Sequence, residues 1–165
     1  MIVVTDSTVL IGLAKLGRLT LLKEIFSKIS IPEEVFKEAV ERGKDKSGSD
    51  LIRESSWIEK RTVKDKRQVN FLTGNLDRGE AEVLVLAGEI EADLILLDEG
   101  KARKAATIAG FHVMGLLGLF ILAKNIGLIH EVRPLINELM AKNFRLSNRV
   151  IGEALKKAGE PPIDF

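Results

Sequence analysis

Four acidic residues, far apart along this 165-residue chain, stand at positions where a carboxylate does chemistry as readily as it meets solvent. Asp6 ends the apolar run Ile2–Thr5, and Asp98 ends the run Leu94–Leu97. Neither run alternates with polar residues, the pattern of a strand buried on both faces. In open parallel sheets, ligands bind beyond the carboxyl ends of the strands. Each aspartate also opens a helix, where Asp is a favoured N-cap. Two carboxylates at equivalent strand ends repel each other unless a cation relieves them.

Glu80 and Glu38 pose the same question on helices. At about 100° per residue along a helix from Asp77, Glu80 shares the face of Val83, Leu84, Ala87 and Ile90. Glu82 and Glu89 then point to water. A carboxylate in line with an apolar stripe needs a partner, because an unpaired buried charge is costly. A capping box between Asp77 and Glu80 is the competing explanation. Glu38 flanks the stripe Val35, Phe36, Ala39 and Val40 on the helix that begins after Pro32. Glu34 lies one turn earlier on the same side, and periodicity leaves both open.

The rest of the inventory narrows the chemistry. Without cysteine, thiol catalysis, a disulfide framework and a zinc–cysteine site are excluded. Tyrosine is absent, and the two histidines, His112 in a strand and His130 after a helix, have no evident acid–base partner. All-oxygen donors suit hard cations, Mg2+ or Mn2+. Ser7 or Thr8 would hydrogen-bond a ligand or water, or simply cap a helix. Net charge is +1, so the overall balance does not announce a nucleic-acid partner. Basic residues nevertheless cluster at Lys60, Arg61, Lys64, Lys66 and Arg67, and at Lys101, Arg103 and Lys104. Such patches contact phosphates or form solvated helix faces. A phospho-accepting receiver domain would need an acidic pair and a lysine after the fifth strand, neither of which is seen. A dehalogenase-like phosphatase would need an aspartate at position 8, which is threonine.

These residues must be positioned by an α/β fold, because strand-length apolar runs alternate with segments of helical period. Strands are expected at Ile2–Thr5, Ile29–Ile31, Trp57–Val63, Leu94–Leu97 and Phe111–Met114. Helices fill the gaps: Thr8–Lys15, Leu19–Ser27, Glu33–Arg42, Asp50–Ser55, Asp65–Leu72, Asp77–Glu91 and Glu99–Ala109. Gly43–Asp50 is read as a polar loop. From Leu116 the chain is helical throughout, with Arg133–Lys142 and Ser147–Ala158 the clearest segments. Neither a repeat nor a dividing linker is evident. The expectation is one domain over 1–165, with a core of about 1–128 and a helical extension over about 129–165. The N-terminus lacks the features of a signal peptide and no apolar run is long enough for a span, so a cytoplasmic, non-membrane protein is expected.

With these motifs in hand, the chain resembles the PIN-domain family of nucleases. VVTDSTVLIGLAKLG is similar to the family's opening, where an aspartate follows the first strand. IPEEVFKEA resembles its second segment, with a glutamate three residues after a helical valine, which selects Glu38 over Glu34. GEAEVLVLAGEIEADLILLDEGKARKAA resembles the region that bears the third and fourth acids, Glu80 and Asp98. LDRGEAEVLVLA, LLDEGKAR and Gly115/Gly118 are closer to a prokaryotic VapC-like branch with extra C-terminal helices. The resemblance implies a three-layer α/β/α fold around a parallel sheet of about five strands, ordered 3-2-1-4-5. It implies a metal-dependent endoribonuclease in which Asp6, Glu80 and Asp98 hold Mg2+ or Mn2+ and Glu38 completes the site. Ser7 and Thr8 would support the site, while Lys101 and Arg103 would contact the RNA backbone. A toxin role with an antitoxin partner, and homodimerisation, follow from the same likeness. The competing reading is an inactive PIN module that binds RNA or a protein. One departure is that Glu80 stands where many toxin-type members carry aspartate, so its longer arm alters the reach to a metal.

Overall fold

In the computed structural model, which describes residues 1–43 and 46–165, five parallel strands form one sheet. They are β1 (Val3–Thr5), β2 (Ile29–Pro32), β3 (Ile58–Arg61), β4 (Leu94–Leu96) and β5 (Val113–Met114), in the spatial order β3-β2-β1-β4-β5. This is the order that the resemblance implies. Helices α1 (Ser7–Lys15) and α2 (Thr20–Phe26) connect β1 to β2. Helix α3 starts at Glu33–Phe36 and continues as a π-helical turn over Lys37–Glu41, followed by α4 (Lys46–Glu54). Helices α5 (Lys66–Leu72) and α6 (Arg78–Glu89) precede β4, and α7 (Gly100–Ile108) joins β4 to β5. Of the expected polar loop Gly43–Asp50, residues 44 and 45 lie outside the described residues, and α4 begins earlier than the expected Asp50.

The order in which strands are added reverses at the β1–β4 pair, since β2 and β3 add to one side of β1 and β4 and β5 to the other. A crevice forms at such a switch point, beyond the strand ends. The register pairs Thr5 with Leu96, and the amide of Asp6 donates to the Leu96 carbonyl at 3.1 Å. The residues after these two strands therefore emerge side by side. Strands β1, β2 and β4 are buried along their whole length, which explains why they are apolar apart from Thr5 and Ser30.

Helix α6 packs against α3, α5, α7, β1 and β2, so it is enclosed on more than one face. This corrects the single-stripe reading of that helix. Glu82, expected in water, is only 4% exposed and its charge is met by Arg78 at 3.5 Å. Glu89 is exposed as expected, and accepts from the amides of Lys64 and Asp65 just before α5. His112 precedes β5 rather than lying within it, and is exposed.

By its contacts the chain divides into two compact units, Met1–Met114 and Gly115–Phe165. The second contains α8 (Leu116–Asn125), α9 (Arg133–Ala141) and α10 (Asn148–Lys157). Pro134 stands in the first turn of α9 and Gly159 takes φ +70° just past α10, the positions expected of them. Within this unit Glu160 accepts from the amides of Val132 and Arg133 and from Lys124, tying the end of α10 to the start of α9 and to α8. Among the described residues no helix is long and apolar enough to cross a membrane.

Candidate active site

Asp6 leaves β1 in extended conformation and becomes the N-cap of α1. Its Oδ1 accepts from the Val9 amide at 2.9 Å, and its Oδ2 accepts from the Asp98 amide at 3.3 Å. Only 4% of the residue is exposed. Burial pushes its carboxyl from the usual 3.8 up to about 7. The two backbone donors pull the other way, while the neighbouring charges of Asp98 and Glu80 add to the rise. The N-cap expected of Asp6 is therefore real, but it engages one oxygen and leaves the other directed at the end of β4.

Asp98 does not cap the following helix. Glu99 does, accepting from the Ala102 amide at 3.0 Å, and α7 starts at Gly100. That one-residue delay keeps Asp98 at the strand end, with its amide bonded to Asp6.

Glu38 enters from the π turn of α3. The amide of Arg42 donates to the carbonyl of Lys37 at 2.8 Å, five residues back, which widens the helix at this point. π turns of this kind recur at functional sites because they re-aim side chains. Glu34 and Glu38, indistinguishable by period, go to different partners. Glu34 meets Arg42 at 2.5 Å, whereas Glu38 Oε2 accepts from Ser7 Oγ at 2.5 Å. Burial raises the Glu38 carboxyl, Ser7 opposes the rise, Asp77 and Glu34 add to it, and Arg42 lowers it. Glu38 also lies against buried Gly79 at the start of α6: a Cβ there would stand 2.4 Å from Glu38 Oε1.

Glu80 forms the capping box that the sequence raised as an alternative. Its Oε2 accepts from the Asp77 amide at 3.0 Å, and its own amide donates to Asp77 Oδ1 at 2.8 Å. Burial raises its carboxyl, the Asp77 amide opposes this, and Asp77, Glu99 and Glu38 add to the rise. Capping and membership of the acidic field thus coexist at this residue. Asp77 and Glu99 belong to the same field and were not singled out from the sequence. Asp77 faces Glu80 across the capping box and Glu99 follows Asp98, and capping alone accounts for both.

The fold therefore gathers Asp6, Glu38, Glu80 and Asp98 into one acidic region at the switch point, though not into a finished cage. Among the described residues no three histidine, aspartate or glutamate side chains stand ready to ligate one ion. The donor set nevertheless fits a hard cation, being carboxylate oxygen throughout. None of the main influences on Asp6 or Glu80 is a cationic side chain. Of the two supporting hydroxyls, Ser7 reaches a site acid; Thr8 is half-buried and holds none of the site's carboxylates. Lys101 and Arg103 are exposed on the first turn of α7, after Glu99, and neither forms a salt bridge among the described residues.

Over residues 2–160 the chain matches the family model described as a PIN domain. No curated protein matches it.

Proposed function

Since this chain belongs to the PIN-domain family, in general nucleases that use divalent metal ions, we propose that it is a Mg2+- or Mn2+-dependent endoribonuclease. The observation that carries this reading is the burial of Asp6 beside the Asp98 amide, with the charges of Asp98 and Glu80 adding to the rise of its carboxyl. Asp6, Glu80 and Asp98 would hold the ion, directly or through water, and Glu38 would complete the site. When bound, the ion polarises the phosphate and lowers the pKa of a water for in-line attack.

The chain's own residues do the remaining work. The amides of Val9 and Asp98 fix Asp6, so its orientation is set before substrate arrives. Ser7 holds Glu38 toward the same region. Its raised carboxyl lets Glu38 take a proton from water near neutral pH more readily than an ordinary glutamate does. Lys101 and Arg103 meet the phosphates of a single-stranded or structured RNA. A toxin role with an antitoxin partner, a homodimer and a cytoplasmic setting accord with this reading.

The binding of Glu80 to its own N-cap favours a second reading, an inactive module that binds RNA or a protein without cutting. The test is labelled RNA incubated with Mn2+, with Mg2+ or with EDTA, beside Asp6→Asn. The nuclease cuts only with metal and loses activity in the variant. Tight RNA binding without cleavage selects the module, and equal cleavage by both proteins rules the site out.

A further inference from the structure

A cleft of about 230 Å3 lies between α1, the π turn and α4, and Glu38 forms part of its wall. It therefore shares Glu38 with the acidic region, while Asp6, Glu80 and Asp98 lie outside its lining. Its surface is mainly apolar, supplied by Ile11 and Ala14 of α1, Ala39 of the π turn and Ile52 of α4. Two cationic side chains, Lys15 and Arg42, line it as well. An apolar floor with cations beside it suits a flat, uncharged ring attached to a phosphate. The volume is below the roughly 300–1,000 Å3 typical of drug-sized ligands, so it suits a single ring system better than a folded peptide.

We infer that this cleft receives one unstacked base of single-stranded RNA, from a nucleotide next to the phosphate that is cut. This inference deepens the nuclease reading and rests on it. Arg42 retains this capacity although it pairs with Glu34, because a guanidinium carries five N–H donors and a planar face. The pairing also holds that plane near the cleft. A duplex cannot use the cleft, since its bases are stacked and paired, and recognition by extruded bases is the usual mode for single-stranded RNA. Charge complementarity with Lys15 and Arg42 separates this occupant from a neutral or basic peptide, and the test below separates it from an acidic one.

The test compares a fluorescent oligoribonucleotide with the same strand carrying single abasic positions, binding the full-length protein in Ca2+ so that cleavage does not intervene. At one position, loss of the base weakens binding to the wild type about tenfold, a size in keeping with one base contact. Ala14→Phe, which fills the cleft from a half-buried position on α1, erases that difference while leaving the melting temperature within a few degrees. Ala14→Leu is the milder substitute if the larger ring disturbs folding, and Lys15→Gln weakens intact and abasic strands alike. No abasic position with an effect, or an effect unchanged by both Ala14 variants, overturns the inference and leaves the cleft to another occupant such as a peptide. Metal-dependent cleavage and its loss in Asp6→Asn are read separately, so failure of the nuclease reading is distinguishable from failure of the base cleft.

Discussion

The backbone amide of Asp98 donates to the Oδ2 of Asp6 across 3.3 Å, joining the ends of two strands that are 92 residues apart in sequence. The bond follows from the Thr5–Leu96 register, which brings the two chain ends out together. It fixes the orientation of a buried carboxylate that feels the charges of Asp98 and Glu80.

That buried acid governs the pH dependence of the metal-free protein. The Asp6 carboxyl rises from 3.8 to about 7 on folding, so between those values the folded chain holds a proton that the unfolded chain has released. Stability accordingly falls as pH rises through this window, by an amount on the order of a few kcal/mol. Asparagine keeps the N-cap and removes the charge. In EDTA, melting temperatures from pH 5 to 8 should decline for the wild type and decline less for Asp6→Asn, with the variant at least as stable at pH 8. A variant clearly less stable at pH 8 would mean that Asp6 is chiefly a helix cap.

Gly79 is required by the approach of Glu38, not by backbone torsion. A Cβ at this position meets Glu38 Oε1, the mobile end of a side chain. Alanine is the better helix former by up to about 1 kcal/mol, so Gly79→Ala should change the melting temperature little. The same variant displaces the Glu38 carboxylate and should reduce cleavage about tenfold or more. Full activity in a folded Gly79→Ala protein would remove Glu38 from the mechanism.

Ser7 acts through Glu38. Residues that orient metal-site carboxylates commonly contribute about 10- to 100-fold in metal affinity or activity. Ser7→Ala should fall in that range and move the acid limb of the pH–rate profile, because it withdraws the donor that opposes the Glu38 rise. The limb should shift to higher pH, and Ser7→Thr should restore it in part. A loss of rate with an unmoved profile would assign Ser7 to packing alone.

The double role of Glu80 separates by substitution. Glu80→Gln retains an acceptor for the Asp77 amide and therefore most of the capping box, whereas Glu80→Ala loses it at a cost on the order of 1 kcal/mol. Activity should drop in both variants and melting temperature only in the second. An active Glu80→Gln enzyme would confine Glu80 to capping.

What was legible in the sequence, and what was not, divides along physical lines. The central strands and the placement of Asp6 and Asp98 were readable because strands buried on both faces leave apolar runs with polar residues at their ends, whereas the strand order came with the family likeness. Strand ends were less so: Trp57–Val63 shortens to Ile58–Arg61, whose last two residues are exposed, and Phe111–Met114 shortens to Val113–Met114. The choice of Glu38 over Glu34 required the family likeness, because both lie on one side of a regular helix. The π turn that sends them to different partners has no periodic signature. Burial of Glu82 escaped notice because a single-face count cannot anticipate a helix enclosed by five neighbouring elements. The delay of α7 from Asp98 to Glu99 was hidden by two adjacent residues that both cap helices well.

The claim on which the rest depends is that this acidic region binds a divalent ion. Calorimetric titration of Mn2+ into the metal-free protein, beside Asp6→Asn, tests it most directly. The account predicts saturable binding to the wild type with release of protons near pH 7, and at least a tenfold loss of affinity in the variant. Absence of saturable binding, or equal affinity in both proteins, would contradict it.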